Sequence, residues 1–239
     1  MFSTGKIDWV WVDLDDTIWD FSANSLDALG QVYESEHLVE FFPTVDEWRE
    51  RYLECNHSLW PLYNVGKITK EFLMTERFRR VLVEAGCAEE RAVAMSAVLD
   101  REYLDRLGRL KRLVPGALEL LRHLRRNGYN IGVISNGFYE VQHRKMSSSG
   151  IGGMMDAVVL SDDIGVNKPD RRIFDYAVNK VSGSAGRSLI IGDNPDTDIA
   201  GGLGAGWHAV YFNRDGMCRQ PVPEGCVEIQ SLFAAIDLL

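Results

Sequence analysis

The chain has 239 residues, of which 46% are hydrophobic, 26% charged and 10% aromatic, so it can bury an ordinary core, and its composition excludes a disordered or low-complexity protein. The sequence has 26 Lys and Arg and 35 Asp and Glu, which gives a net charge of −9. We therefore expect neither a nucleic-acid polymer nor an anionic membrane surface as partner. No apolar run approaches the roughly 20 residues of a membrane span, and the acidic N-terminal stretch lacks the apolar segment of a signal peptide, so a cytoplasmic location is expected. The oligomeric state, monomer or dimer, stays open.

The first predicted element is a strand over Ile7–Val12, where β-branched and aromatic residues form a short apolar run that ends abruptly in acidic residues. The stretch that follows has no strand alternation. It carries Leu, Glu, Arg and aromatic residues at helical spacing and little glycine, which predicts a bundle of helices inserted after the first strand.

Beyond residue 112 the pattern changes to short apolar runs separated by helical segments. Strands are predicted over Ile131–Ile134, Ala157–Leu160, Leu189–Ile191 and Ala209–Phe212. Helical periodicity is clear in Leu118, Leu121 and Leu124, and again in Ile173, Phe174, Ala177, Val178 and Val181. Strands that alternate with helices indicate an α/β fold, a Rossmann-like parallel sheet with helices on both faces.

This division predicts two domains. Residues 1–19 and 113–239 would form the α/β core, and residues 20–112 a helical cap domain. Ligands of open α/β sheets bind beyond the carboxyl ends of the strands, so an insertion after the first strand would cover the site.

The cysteines and histidines give little support to transition-metal chemistry. There is no CxxC or HExxH motif, so neither a zinc site nor a disulfide framework has a signature. We expect the thiols of Cys55, Cys87, Cys218 and Cys226 to be reduced and mostly buried.

An acidic motif, Asp13-Leu14-Asp15-Asp16-Thr17, follows the first predicted strand. Because side chains alternate along an extended chain, Asp13 and Asp15 leave it on the same side, and two neighbouring carboxylates favour a bound cation. Mg²⁺ accepts carboxylate, carbonyl and phosphate oxygens, so a magnesium site that also takes a substrate phosphate is one interpretation. A solvated acidic turn is the other.

Polar motifs also follow three later predicted strands. Ser135-Asn136-Gly137 offers a hydroxyl and turn N–H groups, Lys168 precedes a predicted helix start, and Asp193 and Asp198 lie in a second acidic loop after Gly192. Each is an ordinary turn or helix entry when taken alone. Their order on successive strands favours one shared site at the carboxyl edge of the sheet.

Together these motifs resemble the haloacid dehalogenase-like superfamily over essentially the whole chain. The DxDx(T/V) motif is matched by Asp13, Asp15 and Thr17, the hydroxyl by Ser135, the lysine by Lys168, and GDxxxxD by Gly192, Asp193 and Asp198. The resemblance implies Mg²⁺-dependent phosphoryl transfer from a small phosphomonoester through an aspartyl-phosphate.

The resemblance also implies a role for each matched residue. Asp13 would be the nucleophile and Asp15 the general acid and base. Mg²⁺ would be held by Asp13, the Asp15 carbonyl and Asp193. Thr17, Ser135, Asn136 and Lys168 would bind the phosphoryl group, with Lys168 bridging it to Asp13, and Asp198 would orient Lys168.

Within the superfamily Asp15 favours a phosphatase or a phosphomutase, because dehalogenase members lack an acid at that position. Several strings, among them Asn56-His57-Ser58-Leu59-Trp60 and Ser135-Asn136-Gly137-Phe138, are similar to the house-cleaning pyrimidine 5′-nucleotidase branch. A sugar-phosphate phosphatase, a β-phosphoglucomutase-like enzyme and a catalytically silent binding protein stay open as alternatives.

Aromatic residues are the candidates for substrate specificity. Asn56, Trp60 and Tyr63 offer a flat apolar surface with hydrogen-bonding groups that suits a nucleobase, although aromatic residues at helical spacing also suit the core of a helical domain. Trp19 and Phe21, just after the nucleophile loop, are expected near the leaving group. Trp9 and Trp11 are expected to pack within the sheet.

Overall fold

The computed structural model describes residues 7–216 and 222–239, so Cys218 lies outside the described residues. The chain divides into two compact units. One, here called the sheet unit, contains the residues up to Phe21 together with Lys111–Leu239, and the other, the helical unit, contains Ser22–Leu110.

The sheet unit is built on a parallel sheet that has six strands within the described residues. The strands are β1 (Trp9–Val12), β2 (Asn130–Ser135), β3 (Ala157–Leu160), β4 (Ser188–Gly192), β5 (His208–Phe212) and β6 (Val227–Ile229). Their order is β3-β2-β1-β4-β5-β6, and every neighbouring pair is parallel. The central strand β1 pairs with β2 through Val12 and Val133, and with β4 through Val12 and Ile191, so these three strands end side by side.

Six α-helices accompany these strands in the described residues. They are α5 (Ala117–Arg126), α6 (Tyr139–Ser148), α7 (Ser161–Ile164), α8 (Arg171–Lys180), α9 (Ala200–Gly204) and α10 (Leu232–Leu238). The predicted α/β fold with a parallel sheet is thereby confirmed. Sequence reasoning missed β6, because a three-residue strand is too short to show a pattern.

Apolar side chains of β1 anchor the core of the sheet unit. Trp11 is fully buried, and its ring centroid lies 5.3 Å from that of Trp9 and 5.6 Å from that of Trp207. Phe174 of α8 meets Trp207 edge-on at 5.2 Å. The expected packing role of Trp9 and Trp11 is confirmed, and this core fixes the strand whose last residues carry the acidic motif.

The helical unit consists mainly of four long helices in the described chain. They are α1 (Phe21–Ser35), whose first residue belongs to the sheet unit, α2 (Val45–Asn64), α3 (Lys70–Glu84) and α4 (Glu89–Leu107). The hydroxyl oxygens of Thr44 and Thr69 cap α2 and α3 by accepting backbone N–H groups of the first turn.

Aromatic packing forms the core of the helical unit. Trp48, Tyr52, Phe78 and Tyr103 are fully buried, with neighbouring ring centroids 4.9–6.0 Å apart. Trp48 and Phe78 are therefore core residues, whereas Phe72 keeps 41% of its surface exposed.

Across the described part of the chain, no helix combines the length and the apolar composition needed to cross a membrane.

Candidate active site

The acidic motif follows β1 in a tight loop held by its own backbone. The Asp13 N–H donates to the Ile191 carbonyl at 2.9 Å, which extends the β1–β4 pairing by one residue. The Trp19 N–H then donates to the Leu14 carbonyl, and the Asp16 N–H donates to the Trp19 carbonyl, both at 2.8 Å. These bonds curl the loop back on itself, so Asp13 and Asp15 stay at the end of β1.

Lys168 is the cation at the centre of the site. Its side chain is 2% exposed, and its ammonium donates to Asp13 Oδ1 at 2.5 Å and to the Ile134 carbonyl at 2.8 Å, with Asp198 Oδ1 at 2.6 Å. The contacts with Asp13 and Ile134 are hydrogen bonds, and the contact with Asp198 is an ion pair. Lys168 therefore links the carboxyl ends of β1, β2 and β4 at one point.

The second acidic loop, after β4, brings two more carboxylates to the same place. Asp193 Oδ1 accepts a hydrogen bond from the Thr17 hydroxyl at 3.0 Å. The buried Asp198 accepts the Asn194 N–H at 3.1 Å through Oδ2, while its Oδ1 faces Lys168. A Cβ at position 192 would collide with the Asp198 carboxylate, so Gly192 is the residue that lets this loop fold back on its strand.

Burial and mutual repulsion shape the electrostatics of these groups. Burial raises the pKa of Asp13 to about 7 against the lowering effect of Lys168, and Asp198 and Asp15 raise it further. Burial also raises the pKa of Asp193 well above its ordinary value, with Asp13 and Asp198 adding to the effect. For Lys168, burial lowers the pKa, but the attraction of Asp13 and Asp198 outweighs it and the pKa is raised.

Ser135 and Asn136, at the end of β2, complete the polar floor of the site. The Ser135 hydroxyl oxygen accepts the Gly137 N–H at 3.1 Å and the Gln142 amide N–H at 2.7 Å. The Asn136 side chain accepts the Lys168 backbone N–H at 2.7 Å and donates to the Lys168 carbonyl at 3.0 Å. Asn136 thus fixes the backbone that carries Lys168, and the Ser135 hydroxyl keeps its own proton available for a further acceptor.

Two residues that sequence reasoning missed hold Asp15. Lys145 Nζ lies 2.7 Å from Asp15 Oδ1, and Gln142 Nε2 lies 2.9 Å from Asp15 Oδ2. Both side chains come from α6, three residues apart on one face. Their residue types do not distinguish them from other polar residues of a surface helix.

Trp19 and Phe21 contact the lysine that binds Asp15. Trp19 is fully buried, and the Lys145 ammonium lies 4.6 Å from its ring centroid and 5.2 Å from that of Phe21. Both rings therefore support a cation. Within the sheet unit, the structure brings together Asp13, Asp15, Thr17, Trp19, Phe21, Ser135, Asn136, Lys168, Asp193 and Asp198.

Asn56, Trp60 and Tyr63 form a separate cluster on α2 in the helical unit. The Trp60 indole N–H donates to Asn56 Oδ1 at 3.1 Å, and the Trp60 and Tyr63 rings meet edge-on at 5.5 Å. Asn56 and Tyr63 are buried and Trp60 is half-buried. Trp60 thus contacts both Asn56 and Tyr63.

The carboxylates fit a divalent cation. Asp13, Asp193 and Asp198 each offer an oxygen within 4.8 Å of the others. The Lys168 ammonium is the only cation that contacts any of the three among the described residues, which leaves an excess of negative charge in a largely buried place. Hard oxygen donors of this kind suit Mg²⁺, and a group that carries two positive charges would relieve the repulsion.

Comparison with known proteins identifies the family. Residues 7–206 match the family described as haloacid dehalogenase-like hydrolase. The chain belongs to this family. The expectation of an enzyme from this superfamily is confirmed, and the fold and the order of its motifs agree with the assignment.

Some of the similar proteins align with most of the chain. The chain is 32% identical over 226 residues to pyrimidine 5′-nucleotidase YjjG of Escherichia coli, and the alignment covers 92% of this chain and 91% of that protein. It is 30% identical over 213 residues to HAD-hydrolase YfnB of Bacillus subtilis, covering 89% and 86%. A crystal structure of YfnB bound to magnesium superimposes with a TM-score of 0.86 at 28% identity, covering 98% of this chain and 99% of that one.

Proposed function

We propose that this phosphatase of the haloacid dehalogenase-like family hydrolyses nucleoside 5′-monophosphates, with a preference for pyrimidines, and depends on Mg²⁺. The observation that supports the chemistry best is the buried Asp13–Lys168–Asp198 array beside Asp15 and Ser135. Support for the substrate comes from the similarity to YjjG, and to pyrimidine 5′-nucleotidase PynA of Streptococcus pneumoniae at 26% identity over 228 residues.

Asp13 is the proposed nucleophile. Lys168 holds Oδ1, which orients the carboxylate so that the other oxygen can attack phosphorus in line with the leaving oxygen. A bond forms between that oxygen and phosphorus while the bond from phosphorus to the leaving alcohol breaks. Asp15 gives the alcohol its proton, and later takes a proton from the water that attacks the phosphorus of the aspartyl-phosphate, so that phosphate leaves and both carboxyl groups return to their starting states.

The phosphoryl group would be held by donors around Ser135. The Ser135 oxygen accepts two N–H groups, so its own O–H can donate to a phosphoryl oxygen. The Asn136 backbone N–H and the Lys168 ammonium would contribute the remaining donors. The Thr17 hydroxyl contacts Asp193, so we propose that Thr17 serves the phosphoryl group through its backbone and through the orientation of Asp193.

Asp13, Asp193 and the Asp15 carbonyl are the proposed ligands of Mg²⁺. When bound, Mg²⁺ neutralises charge on the phosphoryl oxygens and on the surrounding carboxylates. Both oxygens of Asp198 have partners in Lys168 and Asn194. We therefore assign Asp198 the task of orienting Lys168.

The cluster on α2 is the proposed source of base preference. Trp60 and Tyr63 supply ring faces and edges, and Asn56 fixes the indole, a combination that suits a planar base with polar edges. Trp60→Ala should weaken discrimination between pyrimidine and purine monophosphates. The matched control is Phe72→Ala, which removes an exposed aromatic ring of the same unit and should leave the preference unchanged.

Phosphate release from a substrate panel tests the proposal. The panel holds pyrimidine and purine 5′-monophosphates, several sugar phosphates and pyrophosphate, each with Mg²⁺ and with chelator, with Asp13→Asn as the blank. We expect the highest kcat/KM for pyrimidine monophosphates and no turnover in chelator. Strong phosphate release from one sugar phosphate, with weak release from the nucleotides, would overturn the substrate proposal. Interconversion of isomers with little phosphate release would indicate a mutase. Activity that survives Asp13→Asn would contradict the mechanism.

A further inference from the structure

Helix α6 places two donors on the carboxyl group of Asp15. Lys145 binds Oδ1 at 2.7 Å and Gln142 binds Oδ2 at 2.9 Å, so each oxygen has its own partner. The two donors lie far from Asp15 in sequence, and both come from the helix that begins just after Ser135 and Asn136. The geometry of Asp15 is therefore set by α6 as well as by its own loop.

Gln142 joins Asp15 to the proposed phosphoryl-binding hydroxyl. It is fully buried, and the same Nε2 that donates to Asp15 lies 2.7 Å from Ser135 Oγ. A Cβ at Gly137 would collide with this amide, so the glycine of the Ser-Asn-Gly turn makes room for the bridge. The bridge keeps the carboxyl of Asp15 next to Ser135.

Lys145 is enclosed, which separates it from an ordinary surface lysine. It is 3% exposed, and its ammonium faces Asp15 on one side and the rings of Trp19 and Phe21 on the others. Aromatic rings attract a cation through their faces and restrict where it can move. The ammonium is thus confined to one place, where it holds one oxygen of Asp15.

We propose that Lys145, assisted by Gln142, is a positioning residue that orients Asp15 for proton transfer to and from the substrate. This inference depends on the proposed role of Asp15 as the general acid and base. Proton transfer needs the acid within hydrogen-bond reach of the leaving oxygen, and a displacement of about 1 Å can cost roughly 100-fold in rate. Lys145 acts on Asp15 and does not bind the substrate itself.

The inference predicts a dependence on the leaving group. Removing the ammonium in Lys145→Met frees one oxygen of Asp15, so proton delivery suffers while the attack by Asp13 does not. We expect kcat/KM for uridine 5′-monophosphate or glycerol phosphate to fall roughly tenfold or more beyond the fall for p-nitrophenyl phosphate, whose leaving group needs little protonation. Arg144→Met is the matched control, because it removes a cation from an exposed neighbouring position of the same helix, and it should leave the ratio of the two substrates unchanged.

A double-mutant cycle separates positioning from direct substrate binding. If Lys145 acts through Asp15, adding Lys145→Met to Asp15→Asn should change the substrate ratio less than about twofold. An equal loss for both substrates, or the same loss on the Asp15→Asn background, would show that Lys145 contacts the phosphoryl group and would overturn the inference. Lys145→Gln, which keeps a donor without the charge, provides a second variant if Lys145→Met does not fold by circular dichroism.

A crystal structure of the folded variant gives a readout that does not depend on activity. We expect the Asp15 carboxyl to leave its place beside Gln142 and Ser135 when Lys145 is replaced, and an unmoved carboxyl would overturn the positioning role. The two proposals fail in different ways. Wild-type enzyme that hydrolyses glycerol phosphate but no nucleotide would refute the substrate proposal alone, because the Lys145 test needs only an alkyl and an aryl phosphate.

Discussion

Replacing the proposed nucleophile should make the protein more stable. Burial, together with Asp198 and Asp15, outweighs Lys168 and raises the pKa of Asp13 to about 7 from an ordinary 3.8. At 1.36 kcal/mol per pH unit, this difference corresponds to roughly 4 kcal/mol. In Asp13→Asn the side chain is neutral at every pH and can still accept the Lys168 hydrogen bond.

The sign of the effect follows from the order of deprotonation. The unfolded chain loses the Asp13 proton near pH 3.8 and the folded protein near pH 7, so rising pH between these values favours unfolding of the wild type. Without divalent cations, the free energy of unfolding of Asp13→Asn should exceed that of wild type by up to roughly 4 kcal/mol at about pH 8, and the difference should vanish below about pH 4. For a chain of this length, 4 kcal/mol corresponds to about 8–16 °C in melting temperature.

Urea and thermal unfolding, carried out in chelator across this pH range, measure the difference in free energy of unfolding between Asp13→Asn and wild type. Asp196→Asn is the matched control, because it removes an exposed carboxylate from the second acidic loop, and it should show no such pH dependence. Adding Mg²⁺ should stabilise wild type more than Asp13→Asn, since a ligand stabilises the state that binds it. An Asp13→Asn protein that is no more stable than wild type at pH 8, or a stability difference that does not vary with pH, would show that the buried Asp13 carboxylate does not destabilise the fold.

Three further predictions concern the acid, the metal and the helical unit. Asp15→Asn should lower kcat/KM for a nucleotide far more than for p-nitrophenyl phosphate, because it removes the proton donor, and equal losses in the kinetic assay would argue against that role. Ca²⁺ should inhibit phosphate release, because its larger and looser coordination disturbs the in-line geometry, and equal activity in Ca²⁺ and Mg²⁺ would contradict this. The Arg79 hydrogen bond, with Arg80 beside it, lowers the pKa of Glu76 to about 2 from 4.5 against its partial burial, so Glu76→Gln should lower the melting temperature at pH 7. That gap should close as the pH falls from 4.5 toward 2, because the stabilising carboxylate becomes protonated, and a gap independent of pH would count against the ion pairs.

The parts of the fold that sequence could predict are those with local signals. The strand before Asp13 shows as a β-branched and aromatic run, and the strands before Ser135 and Asp193 show in the same way, so the sheet and its polar carboxyl edge followed from residues that lie side by side in the chain. The order of these motifs also indicated the family, which the comparison confirmed.

What the sequence could not predict depends on contacts between distant residues. Gln142 and Lys145 meet Asp15 across 127 and 130 positions, and neither residue type is unusual on a helix. The Thr17 hydroxyl contacts Asp193 across 176 positions, which no local pattern reveals. For the aromatic residues of the helical unit, spacing alone left core and binding surface open, and only packing shows that Trp48 and Phe78 are buried.

Chemical trapping of the phosphorylated enzyme tests most directly whether Asp13 is the nucleophile. Wild-type protein is mixed with Mg²⁺ and its best substrate and quenched with borohydride, which reduces an aspartyl-phosphate to homoserine, and peptides are then mapped by mass spectrometry. We expect homoserine at Asp13 in the presence of substrate, and none without substrate or in Asp13→Asn. Turnover accompanied by homoserine at another aspartate, or by none at any position, would contradict this expectation.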